Sequence, residues 1–254
     1  MSLFGPAHDR FRIEVRDYVV NSLRPHASDW EIAGTIPREV FRHLGEKGYL
    51  GLSQPTEYGG GGRDFGYSVA LVEELPRSEA MGLTLSVIAQ SHIFPPVIAL
   101  YGSEEQKQRF LRPALRGELV GAFAATEPAG GSDLLGAIQT SAKEDGDDWV
   151  ISGEKKYITN GPIADAVVAV VRTREERSIN SLSLIVVPTD TPGFSVVESL
   201  DKLGMRSSPT GWLKFHDCRV PRANTLGKIN MGFHYFARNI LEERLLGGAA
   251  AVAA

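Results

Sequence analysis

Cysteine is nearly absent from this chain: Cys218 is the only one among 254 residues. A lone thiol excludes an internal disulfide and any thiolate-rich zinc or iron–sulfur centre. It suits a reducing compartment, so a cytoplasmic protein is expected. An excess of one charge is also missing. The 27 Lys and Arg residues stand against 31 Asp and Glu, a net charge of −4. No bulk positive field exists to hold nucleic acid or an anionic membrane, and neither is an expected partner. Long hydrophobic runs are scarce too. The apolar stretch from Val87 to Leu100 is broken by Gln90, Ser91, His92 and the Pro95-Pro96 pair, short of the roughly 18 uninterrupted apolar residues that mark a membrane helix. The start of the chain lacks the charged-then-apolar pattern of a secretory signal, and Glu14 and Asp17 argue against a transit peptide. Internal repeats are lacking. The six histidines, at 8, 26, 43, 92, 216 and 234, form no pair at helical ligand spacing with a helper carboxylate, so no metal site is expected. The Gly59–Gly62 run lacks the spacing of a P-loop or of a dinucleotide fingerprint and reads as a flexible loop between helices.

What is present is ordinary globular material. Hydrophobic residues make up 43% and charged residues 23%, enough for one large domain or two modest ones. Up to about residue 118 the apolar residues recur at helical spacing, as in Phe11, Val15, Val19 and Leu23. Pro37, Gly45, Gly48 and Ser103-Glu104-Glu105 supply start and stop signals. Residues 1–118 are therefore expected to form an all-α domain. From about 119 to 227 the texture changes to short β-branched and aromatic runs, such as Trp149-Val150-Ile151, Ala166 to Val171 and Leu182 to Val187, punctuated by Gly146, Asn180 and Pro188. That pattern predicts a β-barrel or sandwich. From 228 to 254 helical spacing returns in Phe233, Phe236, Ile240 and Leu241. The fold class is thus α+β. The last helix has no cap after it, so it is expected either to pack back on the two domains or to open a further helical domain.

Two segments carry chemistry. The first is Thr126-Glu127-Pro128-Ala129-Gly130-Gly131-Ser132-Asp133, directly after the strand-like Val120–Ala125. A glycine pair followed by serine offers backbone N–H groups and a hydroxyl, which suits a phosphate or a flavin carbonyl edge; a plain polar turn would look the same. The second is Lys155-Lys156-Tyr157-Ile158-Thr159-Asn160-Gly161. In a straight strand Tyr157 and Thr159 would share one face, where they could meet a planar cofactor or simply be strand residues.

In this order the two segments resemble the acyl-CoA dehydrogenase family. Further stretches carry the resemblance over the whole chain: Pro55-Thr56-Glu57-Tyr58-Gly59-Gly60, Lys202 to Thr210, and Phe215-His216-Asp217-Cys218-Arg219-Val220-Pro221. The resemblance implies an N-terminal α domain, a central β domain and a C-terminal helical domain of which only the first helix is in this sequence. It implies FAD as cofactor, with Phe123, Ala125, Thr126, Gly131, Ser132, Tyr157, Ile158 and Thr159 around it. Thr159 would donate toward flavin N5, and Ser132 would also meet the pantetheine arm of the substrate. Tyr157 stands where many members have tryptophan. The implied partners are an acyl thioester on CoA or a carrier protein, an electron acceptor such as an electron-transfer flavoprotein, and other subunits of a homo- or hetero-oligomer. Fatty acid metabolism is the implied setting. Arg10, Arg12 and Arg16 could offer a carrier protein an entry patch, or could be a solvated helix face.

Removing an α-proton from a thioester needs a carboxylate base and a polarised carbonyl, with hydride leaving Cβ for flavin N5. In some relatives, isovaleryl- and long-chain-type enzymes among them, the base precedes an arginine on the first helix of the C-terminal domain. Glu243 holds that position in Leu241-Glu242-Glu243-Arg244-Leu245. Its spacing supports this independently, being three after Ile240 and seven after Phe236 on the apolar stripe. Pairing with a residue outside this sequence is the other reading. Glu242, four after Arg238, is expected in a surface ion pair. Arg244 matches a family arginine near the ligand, or else packs helices. A flavin oxidase or monooxygenase on the same fold, and a silent subunit completing a partner's flavin site, are the alternative functions. With the adenosine half of FAD held by other segments in the family, this chain alone is expected to bind flavin weakly.

Overall fold

A proline ring inside an α-helix collides with the carbonyl four residues back and offers no N–H. In this chain the helical half meets that problem three times in one way. The computed structural model describes residues 4–254, beginning with α1 (Pro6–Tyr18) and continuing through a widened π turn at Val19–Leu23, two residues before Pro25. The amide of Arg24 there bonds the carbonyl of Val19, five residues back. After α2 (Ala27–Ala33), α3 (Arg38–Glu46) and α4 (Phe65–Glu74), the device recurs between α5 (Met81–Ile88) and α6 (Phe94–Tyr101). The π turn Ala89–Ile93 ends two residues before Pro95. A third π turn, Lys107–Leu111, joins α7 (Glu104–Gln106) to α8 (Arg112–Leu115) two residues before Pro113. Each widened turn shifts the carbonyls that the ring would strike and lets the helix continue. Ser103, part of an expected helix start signal, forms a capping box with Gln106 at α7.

The segment Met81–Tyr101 therefore runs as one helix of 21 residues with mean hydropathy 1.5, long and apolar enough to cross a membrane, and 72% of its apolar window is buried inside the protein. The polar interruptions that told against an apolar span are themselves interior: Gln90, Ser91 and His92 are all buried. His92 titrates far below its ordinary 6.5, at about 4, because burial disfavours the imidazolium. The unfolded state thus takes the extra proton first, and stability falls as pH drops from about 6.5 toward 4, by up to about 3 kcal/mol. Urea unfolding at pH 7 and 4.5 should show a larger loss for the wild type than for His92→Gln; equal losses would acquit His92.

The glycine run is not a flexible loop. The amides of Gly59, Gly60, Gly61, Gly62 and Arg63 donate to the carbonyls of Thr56, Pro55, Gly51, Gln54 and Leu52, so none is left to cradle a phosphate. A Cβ on Gly60 would lie 2.2 Å from the Gln54 carbonyl oxygen. Here glycine serves close packing. Arg12 pairs with Glu73 and Arg16 with Glu74. These arginines tie α1 to α4 instead of forming a free entry patch.

The β half is a single seven-stranded mixed sheet: β1 (Gly121–Ala124), β2 (Ser141–Asp145), β3 (Asp148–Thr159), β4 (Ala166–Arg172), β5 (Leu182–Pro188), β6 (Phe194–Ser199) and β7 (Thr210–Pro221). A short α9 (Leu134–Ala137) lies between β1 and β2. One path runs β1-β4-β2-β3-β7-β6, with β5 on the other side of β4. The sheet curls like a half-barrel. Along β4 and β5, Val168, Val170, Leu184 and Val186 face the helices with Phe94, Val97 and Ile98. Val167, Ala169, Val171, Ile185 and Val187 face the inside with Ile151, Leu213 and Phe215. Burial on both faces explains why these two strands read as unbroken apolar runs. Strand β6, whose residues are mostly exposed, carried no such signal.

The last element, α10 (Gly232–Ala253), returns across the helical half. Leu246 and Ala250 are buried against Val69, Val72 and Ile88, and the Tyr235 ring stacks on Tyr101 at 3.8 Å. Leu241, Leu245 and Val252 remain exposed. Among the described residues no ion pair joins Arg238 to Glu242; both border a surface groove beside Pro96.

Candidate active site

The sheet ends β1 and β3, the helix Met81–Tyr101 and α10 converge on one cavity of about 240 Å³. Phe123, Ala125 and Thr126 come from the end of β1, and Tyr157, Ile158 and Thr159 from the end of β3. Gly131 and Leu134 come from the loop after β1, Ala89 and Ile93 from the second π turn, and Phe236, Ile240, Glu243 and Arg244 from α10. Of the residues the resemblance pointed to, only Ser132 is elsewhere. Ala89, Ile93 and Leu134 had no sequence signal of their own; the two helical ones owe their position to the turn that Pro95 forces open.

The β3 contribution does not arise by simple alternation. The ladder with β7 slips between Lys156 and Ile158, leaving Tyr157 as an extra residue in the left-handed region at φ 65. Such a bulge re-aims side chains, and so Tyr157, Ile158 and Thr159 all reach the cavity. Tyr157 is 62% exposed and forms the rim rather than an enclosed wall. Thr126 is held from below, its hydroxyl donating to the Lys156 carbonyl. Its carbonyl accepts the Lys156 amide at 3.0 Å. The Phe123 and Phe236 rings stack at 5.9 Å and join β1 to α10.

Thr159 and Glu243 carry unspent polar groups on this cavity. Among the described residues the Thr159 hydroxyl has no hydrogen-bond partner, and the Glu243 carboxylate has neither a hydrogen bond nor an ion pair. Burial pushes the Glu243 carboxyl above its ordinary 4.5, with the neighbouring Arg244 charge opposing. A half-buried carboxylate without a partner is costly to keep, and a raised pKa in a cavity marks a candidate proton acceptor.

Ser132 is exposed and borders an adjoining groove of about 420 Å³ with Gly130, Asp133 and Gly136. Gly131 borders both spaces, which are neighbours on the same loop. Among the described residues no cation lines this groove; Asp133 borders it, and its carboxylate accepts the Gly136 amide at 2.9 Å. Elsewhere, a larger cleft of about 540 Å³ beside Ser141–Glu144 and Arg172–Glu175 has its Arg172 guanidinium spent on the carbonyls of Leu135, Ile138 and Glu176. Among the described residues no cluster of His, Cys, Asp or Glu could hold a metal ion.

The profile of the acyl-CoA dehydrogenase N-terminal domain matches residues 5–118, and that of the middle domain matches residues 122–218. The chain belongs to the acyl-CoA dehydrogenase family. The pig long-chain specific acyl-CoA dehydrogenase (Sus scrofa, mitochondrial) is 41% identical over 255 residues, which cover 99% of this chain and 58% of the pig protein. The crystal structure of acyl-CoA dehydrogenase from Geobacillus kaustophilus superposes with a TM-score of 0.94 at 39% identity, over 99% of this chain and 66% of that one. A glutaryl-CoA dehydrogenase from Mycobacterium smegmatis in complex with FADH2 does so at 0.91 and 31%, over 99% of this chain and 63% of that one. The chain thus spans 58% to 66% of the length of these proteins, the part with the helical half, the curled sheet and α10.

Proposed function

We propose that this chain is the flavin-facing part of an FAD-dependent acyl-thioester α,β-dehydrogenase in which Glu243 takes the α-proton. One observation carries the reading: the unpaired Glu243 carboxylate, its pKa raised by burial, shares a cavity with the ends of β1 and β3. FAD is supported by the glutaryl-CoA dehydrogenase relative described with FADH2. The residues present fit a planar ring system. Phe123, Ala125 and Ile158 give apolar contact, and the free Thr159 hydroxyl gives a donor at the edge. When bound, the flavin supplies a two-electron acceptor for the hydride that leaves the substrate.

The rest is done by the chain's own groups. Glu243 is ionised in the working state and accepts the proton while the low-polarity walls from Phe236 and Ile240 keep water from competing. Arg244 beside it compensates the carboxylate and holds the cavity mouth. The neighbouring groove at Ser132 is the proposed seat of the arm that connects a thioester to its carrier. An electron-transfer flavoprotein is the proposed acceptor of the electrons.

The test is the visible spectrum of the purified chain, recorded with excess FAD and then with an acyl-CoA. A perturbed flavin band that bleaches on acyl-CoA addition is expected. A bound flavin that stays oxidised with every acyl-CoA tried would overturn the reading. Replacing Thr159 with alanine should slow that bleaching about 10-fold to 100-fold, because a donor where negative charge develops acts mainly in the transition state. Stopped-flow reduction rates equal to wild type would return Thr159 to the status of an ordinary strand residue.

A further inference from the structure

The loop from Glu127 to Thr140 carries the part of the cavity wall at Gly131 and Leu134 and all of the adjoining groove. Its neck is closed by one carboxylate. Glu127 Oε2 accepts the Gln139 amide at 2.7 Å, and Oε1 accepts the Thr140 amide at 3.0 Å. The same Oε1 accepts Lys155 Nζ at 2.8 Å, and Nζ also donates to the carbonyl of Ala125, a cavity-lining residue, at 3.2 Å. Lys155 is 0% exposed and Glu127 4%. A Cβ on Gly153 would come within 2.5 Å of Thr140 Cα, so the neck lies directly on β3. Outside the neck, Arg172 donates to the carbonyls of Leu135 and Ile138.

We propose that Glu127 and Lys155 are positioning residues for the site: a buried clamp that fixes the neck of the 127–140 loop and the Ala125 edge, and thereby the shape of the ligand-facing wall. A buried ion pair is a weak source of stability, since apolar residues of similar volume often replace it without loss, whereas removing one partner strands a charge. The geometry explains its presence otherwise. Two charged groups with four hydrogen-bonding contacts join three separate chain segments at 125–127, 139–140 and 155 around the cavity, which an apolar pair cannot do. Lys155 is pushed down to about 8 by burial, against the pull of Glu127, and Glu127 lies below its ordinary value because Lys155 and the two amides outweigh its own burial.

The decisive variant is the double substitution Glu127→Gln with Lys155→Met, which removes both charges together. Its melting temperature should return to within a few degrees of wild type while each single variant melts much lower. Amide hydrogen exchange in peptides covering 127–140 should nevertheless be at least 10-fold faster than in wild type, with exchange in β4 unchanged. If the double variant recovers wild-type protection of the loop as well as stability, the pair merely supports the fold and the proposal is overturned. Should the double variant not fold, Gln139→Pro serves the same purpose. It deletes one neck N–H and no charge, after Ile138, whose extended backbone (φ −67, ψ 115) admits a following proline. Unchanged exchange in 127–140 would then refute the clamp. These arms need no cofactor. A further arm rests on the flavin reading above: FAD affinity of the double variant should fall about 10-fold. If wild type binds no FAD, the flavin reading fails while the exchange result still decides the clamp.

Discussion

Replacing Glu243 with glutamine is expected to lower flavin reduction by acyl-CoA about 10²-fold to 10⁴-fold, the usual range for losing a positioned base. That is a barrier increase of roughly 3 to 5 kcal/mol. Glutamine keeps the shape and polarity of the side chain, so flavin content and melting temperature should match wild type. A variant that reduces flavin at the wild-type rate would remove Glu243 from the chemistry. The same assignment fixes a pH dependence. The base works ionised, and burial raises its pKa above 4.5, so the reduction rate should climb as pH rises through that raised value and then level off. For stability the sign is opposite: the folded state holds the proton more tightly than the unfolded chain, so this group's contribution falls over the same pH window. A rate that falls with rising pH across that range would exclude the carboxylate as base.

Gln90→Leu is expected to produce a large loss of stability. The side chain is fully buried. Its amide nitrogen donates to the carbonyls of Ala114 at 3.0 Å and Leu119 at 2.8 Å, while its oxygen accepts the Gly121 amide at 2.8 Å. It thus stitches the helix Met81–Tyr101 to the end of α8 and to the first residue of β1. Leucine fills the space but leaves the Leu119 carbonyl and the Gly121 N–H buried without partners, at about 1 to 3 kcal/mol each, while the Ala114 carbonyl keeps the Gly117 amide at 3.1 Å. A cost of about 3 to 5 kcal/mol should lower the melting temperature by roughly 10 °C in a chain of this size. A drop smaller than about 3 °C in a thermal scan would show that other groups or water take over these bonds. The same substitution bears on the site, because Gln90 lies in the π turn that presents Ala89 and Ile93 to the cavity.

Several features of the protein were readable along the chain. The division into helical, β and helical stretches follows from local periodicity, since a buried stripe on a helix or strand must repeat at a fixed interval. Glu243 was readable for the same reason. Phe236, Ile240 and Glu243 lie on one helical stripe, and all three border the cavity. The helix start at Ser103-Glu104-Glu105 is likewise local chemistry. By contrast, the pairing of Arg238 with Glu242, plausible from spacing alone, does not occur; spacing permits a contact between exposed side chains without enforcing it.

What the tertiary structure alone decided is where distant pieces meet. Tyr157 reaches the cavity through a bulge, and a bulge depends on the register of β3 against β7, some 55 residues further on. Ser132 falls outside the cavity and borders the adjoining groove, and the neck of its loop is joined to Lys155 through Glu127, a contact between residues with no local pattern in common. The glycine run read as a flexible loop and Arg12 and Arg16 as a patch or solvated face, and these proved to be partnered. Local sequence determines which conformations and faces a segment can offer, because those depend on backbone sterics and side-chain period. Which groups are buried, paired or left free depends on long-range packing that no single segment contains.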